Sequence, residues 1–164
     1  MSVNRERPHI FVLPEDRANQ ELATGFHLGV DRIRQMQVLQ PAHGWQHVLD
    51  LFKSDHIAEM EKYPTRFMVL LIDFDGDENR LEAVKDGIPE HLAGRVFILG
   101  TLSEPEDLKR ANLGFYEDIG KKLAEECREE TYTTSGWEHN LLRHNASELE
   151  RLSAHVRRIL FQSI

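Results

Sequence analysis

The sequence predicts an α/β fold, in which helices flank a four-stranded, mainly parallel sheet and a helical C-terminal extension follows. Short apolar runs rich in Val, Leu and Ile alternate with longer segments whose apolar residues recur at helical spacing. Strands and helices that alternate in this way indicate βαβ units with right-handed crossovers. The length of 164 residues suits one domain, residues 1–164, with a core at about 8–108 and the extension at about 109–164.

Two strand and helix pairs are predicted in the first part of the chain. Residues 9–13 form an apolar run that Pro14 ends, and a helical pattern follows within 15–30. This pattern consists of Ala18, Leu22, Ala23 and Phe26. Residues 34–39 predict the second strand, and the apolar spacing from Trp45 to Met60 predicts an amphipathic helix that ends near Pro64.

The third and fourth strands follow, with a short helix predicted between them. Residues 67–72 are uniformly apolar, as expected of a strand buried on both faces, and a short helix is predicted around 79–84. Turn signals at Gly87 and Pro89 precede the fourth strand, which begins at Arg95. The predicted sheet is therefore complete by about residue 100.

The C-terminal extension is predicted to be mostly helical. Pro105 suits the first turn of a short helix, and apolar spacing through residues 116–127 predicts a clearer amphipathic one. A polar loop is predicted at about 129–136. Ser147 and Glu150 then have the spacing of a capping box, which predicts the start of the closing helix.

Composition limits the class of protein. Hydrophobic residues make up 40% and charged residues 29%, which is ordinary for a globular chain. No apolar stretch is long enough to span a membrane, and the first residues lack the apolar core of a signal peptide, so a cytoplasmic location is expected. The single cysteine, Cys127, excludes an internal disulfide and is expected to be buried. The net charge of −8 argues against tight binding of nucleic acid without metal ions or a partner.

Three carboxylates follow the third predicted strand directly. Asp73, Asp75 and Asp77 alternate with other residues in the run DFDGD. Alternation along an extended backbone points side chains to one side, although Gly76 favours a bend. Carboxylates this close together repel each other unless a cation lies between them, and a hard divalent ion such as Mg²⁺ or Mn²⁺ prefers oxygen ligands. The pattern predicts a metal site at the carboxyl edge of the sheet, where ligands bind in open α/β folds.

The order of these motifs resembles the Toprim family of topoisomerases, bacterial primases and OLD-type nucleases. The resemblance covers about 8–108 and rests on Glu15 after the first strand, the DFDGD cluster after the third and the run SEPEDL after the fourth. It implies a Rossmann-like fold and a Mg²⁺ or Mn²⁺ site. The family's turn after the glutamate contains a glycine, and here the residues after Glu15 are Asp16, Arg17, Ala18 and Asn19.

The resemblance also implies roles for individual residues. Glu15 would be the catalytic acid or base, or a ligand to a second metal, and Asp73 and Asp75 would be the first metal ligands with Asp77 as the third. Glu104 and Glu106 are additional metal-ligand candidates, although SEPED also reads as a charged first turn of a helix. The candidates for contact with a scissile phosphate are the nearby cations. These cations are Arg17, Arg80, Lys109 and Arg110.

The leading interpretation is a metal-dependent phosphoesterase, namely a Toprim-type nuclease that cleaves nucleic-acid phosphodiesters. The sequence has no P-loop motif, so an ATPase, which accompanies Toprim parts in OLD-type systems, would be a separate subunit. One alternative is a non-catalytic Toprim-like binding or regulatory module, and another is a transferase that uses a metal-diphosphate. Oligomeric state stays open, and a homodimer through an apolar helix face is compatible with the sequence.

Overall fold

The fold class predicted from the sequence is confirmed in a computed structural model of the chain. The structure describes residues 3–103, 105–110 and 114–162, without the side chains of Glu78 and Lys109. The strands are β1 (His9–Pro14), β2 (Met36–Val38), β3 (Arg66–Leu71) and β4 (Val96–Leu99). They form one four-stranded sheet in the order β2-β1-β3-β4, and every neighbouring pair is parallel.

Seven α-helices accompany these strands in the described part of the chain. They are α1 (Arg17–Leu28), α2 (Trp45–Leu51), α3 (Ile57–Lys62), α4 (Glu78–Asp86), α5 (Pro105–Arg110), α6 (Tyr116–Glu129) and α7 (Ala146–Leu160). A π-helical turn, Phe52–His56, connects α2 to α3, so the single helix predicted from Trp45 onward has a widened turn in its middle. Short 3₁₀ segments lie at Ile33–Gln35, Glu90–Arg95 and Arg143–Asn145.

Both faces of the sheet are covered, which explains why its strands are mostly apolar. Ile10 and Val12 on β1 belong to a core shared with α1, α6 and α7, whereas Phe11 and Leu13 belong to a core on the opposite face. Successive residues of a strand point to opposite faces, so a strand covered on both sides needs an apolar residue at every position. Cys127 is buried in the first of these cores, as predicted, and burial raises the pKa of its thiol to about 12.

The carboxyl edge of the sheet depends on close backbone packing at Gly100. The backbone N–H of Ile72 donates to the carbonyl of Leu99, and that of Phe74 donates to the carbonyl of Thr101, so β3 and β4 stay together beyond their formal ends. A Cβ atom at Gly100 would lie 1.6 Å from the carbonyl oxygen of Ile72. Only glycine permits this approach, which fixes the two chain segments that follow the strands.

Two details of the sequence prediction are wrong. The second strand is half the predicted length, because residues 33–35 turn into a 3₁₀ segment before β2 begins at Met36. The closing helix begins at Ala146, ahead of the predicted capping box, and Asn145 precedes it without a capping hydrogen bond. The Asn145 side chain instead donates to the carbonyl of Gly100 at 2.9 Å and accepts from its N–H at 3.1 Å. A tertiary contact therefore replaces the local cap.

No helix within the described residues is both long and apolar enough to cross a lipid bilayer.

Candidate functional site

Glu15 and Asp73 meet at the carboxyl edge of the sheet. Glu15 follows β1 directly and Asp73 lies two residues beyond β3, and these two strands are neighbours in the middle of the sheet. The Glu15 carboxylate accepts a hydrogen bond of 2.6 Å from the backbone N–H of Asp73. Both residues are almost fully buried, with exposed fractions of 9% and 8%. The structure thus brings together the first-strand glutamate and the first aspartate of the cluster.

Asn19 on α1 connects Asp73 to the start of that helix. Its side-chain amide donates to Asp16 Oδ1 at 3.1 Å and to Asp73 Oδ1 at 3.0 Å, so one nitrogen bridges two carboxylates. Asp16 also caps α1 by accepting from the Asn19 backbone N–H. Thr101, which follows β4, places its hydroxyl 3.5 Å from the same Asp73 oxygen. Asn19 is fully buried, and its own Oδ1 has no hydrogen-bond partner among the described residues.

Negative charge accumulates at this edge of the sheet. Burial raises the pKa of Asp73 to about 7, hydrogen bonding from Asn19 opposes the shift, and the charges of Asp16, Glu15 and Glu106 add to it. Burial likewise raises the pKa of Glu15, against the hydrogen bond from the Asp73 backbone. Three other carboxylates therefore act on Asp73, and an added cation would favour the ionised form of Asp73.

Asp75 and Asp77 do not share the direction of Asp73. The backbone of Asp75 has φ = 52° and that of Gly76 has φ = 67°, so the bend favoured by Gly76 is present and strand geometry ends before the second aspartate. The Asp75 side chain is 59% exposed and lies 3.4 Å from Arg80. Asp77 is the N-cap of α4, where its carboxylate accepts from the backbone N–H of Asn79 at 2.9 Å.

The capping role of Asp77 makes a testable prediction. Replacement by alanine removes the acceptor for the Asn79 N–H, so Asp77→Ala should lower the free energy of unfolding by about 1 kcal/mol. Asp77→Asn keeps a good capping side chain and should stay within about 0.3 kcal/mol of the wild type. Urea unfolding measures both values. Equal losses in the two variants would show that the carboxylate's charge, rather than the cap, is what matters.

Among the candidate phosphate-binding cations, Arg80 is the one whose described contacts reach the acid cluster. It donates to the backbone carbonyl of Asp73 at 2.7 Å, and its guanidinium lies 5.6 Å from the centre of the Trp45 ring. Arg17 is 86% exposed and pairs with Glu21 along α1. Arg110 pairs with Asp107 at 2.6 Å within α5.

Of the two ligand candidates predicted in the run after β4, the structure describes Glu106. Glu106, on α5, lies near enough for its charge to raise the pKa of Asp73. Glu104 and the side chain of Lys109 lie outside the described residues.

The described conformation does not hold a complete cage of metal ligands. Within residues 3–103, 105–110 and 114–162, no set of three His, Cys, Asp or Glu side chains converges so that it could hold one ion. Mg²⁺ commonly keeps several waters and takes only one or two protein carboxylates together with substrate phosphates. The carboxylate oxygens of Asp73 and of the exposed Asp75 are of the donor type that such an ion prefers.

Sequence reasoning missed four residues that shape this site. Asp16 and Asn19 have the three-residue spacing of a helix cap, and Thr101 follows directly after a predicted strand, so the sequence does carry a signal for these three residues. Trp45 gives no such signal. Its backbone N–H acts to lower the pKa of Glu15, against the larger effect of burial, and its ring lies against Arg80; both effects arise only from the tertiary fold.

Comparisons of this chain with protein-family models, with curated proteins and with solved structures found no match.

Proposed function

We propose that this chain is a Toprim-like phosphoesterase that depends on Mg²⁺ or Mn²⁺ and cleaves nucleic-acid phosphodiesters. The observation that carries the proposal is the contact between Glu15 and Asp73, which lie at the ends of adjacent central strands and bond through the Asp73 backbone N–H. Adjacent strand ends at the carboxyl edge are the expected place for a ligand in an open parallel sheet.

The buried acids support a metal-dependent reaction. Glu15 and Asp73 both have raised pKa values, and Asp16 and Glu106 add further negative charge. In this proposal Asp73 and Asp75 provide metal-ligand oxygens, and a bound divalent cation would neutralise the phosphate and lower the pKa of an attacking water. Rotation of the exposed Asp75 side chain away from Arg80 would free its carboxylate for this role.

The other residues have separate roles in the proposal. Glu15, with a pKa above its ordinary value, exchanges a proton with the attacking water or the leaving oxygen. Arg80, which the carbonyl of Asp73 and the ring of Trp45 hold in place, donates to a non-bridging phosphate oxygen. Asn19 and Thr101 orient Asp73.

The test is a cleavage assay of the purified chain with supercoiled plasmid, single-stranded DNA and RNA. We expect cleavage in Mg²⁺ or Mn²⁺ that EDTA abolishes. Asp73→Asn should reduce the rate at least about 100-fold, the scale expected from losing one preorganised electrostatic contact. Asp77→Asn is the matched control, because Asp77 lies outside the buried contact between Glu15 and Asp73 and asparagine still caps α4. This variant should cleave like the wild type. An Asp73→Asn variant as active as the wild type would overturn the site.

A second candidate function is a non-catalytic binding or regulatory module of the same fold. The favouring observation is that one Asp73 oxygen already accepts from Asn19 and lies near the Thr101 hydroxyl in a residue that is 8% exposed. A carboxylate held in this way acts as a structural connection between α1 and β3. Absence of cleavage by the wild type with every substrate and both metals would favour this candidate.

The proposal includes a location and a partner. Because the sequence has no P-loop motif, the ATPase that accompanies Toprim parts in OLD-type systems would be a separate subunit, and the cleavage assay should be repeated with a candidate ATPase and ATP. We place the protein in the cytoplasm, where its single buried cysteine stays reduced.

A further inference from the structure

A basic pocket opens at the opposite end of the sheet from the acid cluster. It has a volume of about 500 Å³, within the size range of small-molecule sites, and it lies where the chain enters β1 and β3. Strands of six residues separate the two edges by roughly 20 Å. This pocket is therefore distinct from the site that contains Glu15 and Asp73.

Three arginines surround the pocket, in a protein whose net charge is −8. Arg7 precedes β1, Arg32 precedes the 3₁₀ segment before β2, and Arg158 lies in the last turn of α7. All three are exposed, and none forms an ion pair with an acidic side chain in the part of the chain that the structure describes. Arg32 donates to the backbone carbonyl of Arg158 at 2.7 Å, and the guanidinium of Arg158 donates to the carbonyl of Ala154 at 3.1 Å and lies 3.3 Å from His155 Nδ1. No acidic residue lines the pocket in the described chain.

The floor of the pocket is aromatic and apolar. The rings of Phe67 and His155 lie 4.8 Å apart, with an angle of 35° between their planes, and both side chains are partly exposed. The buried side chain of Gln35 adds a polar group, and its amide donates to the carbonyl of Pro8 at 2.7 Å. Flat rings of this kind stack on planar groups such as nucleobases.

We infer that this pocket binds a nucleotide, with its phosphate on Arg7, Arg32 and Arg158 and its base against Phe67 and His155. Arginine pairs with phosphate through charge-assisted hydrogen bonds. Arg32 and Arg158 use some of their donors in contacts with neutral groups, namely backbone carbonyls and the His155 ring, so their positive charges are not compensated by an acidic side chain in the described chain. Inorganic phosphate would contact only the three arginines and would leave the rings of Phe67 and His155 without a stacking partner. The nucleotide is either free or the terminal residue of a nucleic-acid strand, because both present the same phosphate and base. The inference does not rest on the proposed cleavage reaction.

The experiment is isothermal titration calorimetry of the whole chain at low salt in EDTA, which keeps divalent metals out of the acid cluster. The probes are AMP, adenosine, inorganic phosphate and a 5′-phosphorylated 12-residue single-stranded DNA. We expect submillimolar binding of AMP, at least about tenfold tighter than of inorganic phosphate or adenosine, since each lacks one group of contacts. If the DNA binds much more tightly than AMP, the ligand is the end of a nucleic-acid strand. If AMP binds more tightly than the DNA, the ligand is a free nucleotide.

Variants separate this pocket from general attraction of anions. Arg7→Ala and Arg158→Ala should each weaken AMP binding about tenfold, the loss expected for one charge-assisted contact. Arg34→Ala is the matched control, because Arg34 is an exposed arginine close to Arg32 that does not line the pocket. Asp73→Asn should bind AMP like the wild type, so failure of the cleavage proposal leaves this result unchanged. The inference is overturned if neither AMP nor the DNA binds, if phosphate binds as well as AMP, or if Arg34→Ala weakens binding equally.

Discussion

Asp73→Asn should raise the free energy of unfolding at pH 8, without divalent cations, by about 2–3 kcal/mol. Burial raises the pKa of Asp73 from 3.8 to about 7, so an ionised carboxylate at this position destabilises the folded chain. The full shift corresponds to about 4 kcal/mol, and partial screening by solvent reduces this value. Asparagine keeps an oxygen that accepts from the Asn19 amide and removes the charge that Glu15, Asp16 and Glu106 repel.

The direction of the pH dependence follows from the raised pKa. The protonated carboxyl favours the folded state, so its contribution to stability is complete below the unfolded pKa of 3.8 and is lost as pH rises through about 7. Asparagine does not titrate. The stability difference between variant and wild type should therefore be small near pH 4 and grow to its full size by pH 8. Desolvation lowers the pKa values of four histidines, His9, His56, His144 and His155, but these histidines titrate in both proteins and cancel in this difference.

Urea unfolding of both proteins between pH 4 and pH 8 measures this prediction. Asp50→Asn, at an exposed position on α2, is the control and should change stability by less than about 0.5 kcal/mol at any pH. Adding Mg²⁺ at pH 8 should stabilise the wild type more than Asp73→Asn if the ion binds at Asp73. A variant that is less stable than the wild type at pH 8 would contradict the prediction and assign Asp73 a stabilising charge.

The strands of the sheet were predictable because both of its faces are buried. The runs at 10–13 and 67–72 carry apolar residues at every position, and few other environments require this pattern. β2 lies at one edge of the sheet and pairs through three residues only, so its sequence carries a weaker signal. The predicted strand there included residues that the structure places in a 3₁₀ segment.

The candidate site was predictable where it depends on strand ends. Glu15 and Asp73 both follow apolar strands, and the resemblance to Toprim proteins implied that they lie together. The directions of Asp75 and Asp77 depend on backbone angles after the strand. Asp75 has a positive φ that residues other than glycine seldom adopt, and sequence spacing gives no sign of it.

Contacts between distant segments account for what the sequence did not reveal. Asn19 reaches Asp73 across 54 residues of chain, and Thr101 reaches it across 28. Polar side chains such as these are common at helix starts and after strands, where they usually bond locally. Their role here arises because β1, β3 and β4 are neighbours, and strand order is a property of the whole fold.

Glu15→Gln should reduce metal-dependent cleavage by about 10²–10⁴-fold, the usual contribution of a general acid or base. Glutamine has nearly the same shape, and its side-chain oxygen still accepts from the backbone N–H of Asp73. It can neither take a proton from water nor give one to a leaving oxygen. Glu15 is 9% exposed, and burial disfavours its ionised form. The free energy of unfolding of Glu15→Gln at pH 7 should therefore equal or exceed that of the wild type.

The pH profile distinguishes a proton-transfer role from a structural one. If Glu15 acts as a base, wild-type activity should rise as pH increases through a pKa above the ordinary value of 4.5, since burial raises it. Glu15→Gln should lose this limb of the profile together with most of the activity. Glu21→Gln is the matched control, because Glu21 lies on α1 and pairs with Arg17 at a solvent-exposed position. It should keep both the rate and the profile.

Unchanged activity in Glu15→Gln would reassign Glu15 to a structural role. Its carboxylate joins the end of β1 to the chain after β3, and its backbone carbonyl accepts from the N–H of His43 at 2.7 Å. These two contacts would be its contribution to the fold. Loss of activity together with a large loss of stability would leave the chemical role unsupported, because a displaced Asp73 would produce the same result. Only lost activity in a variant of preserved stability assigns proton transfer to Glu15.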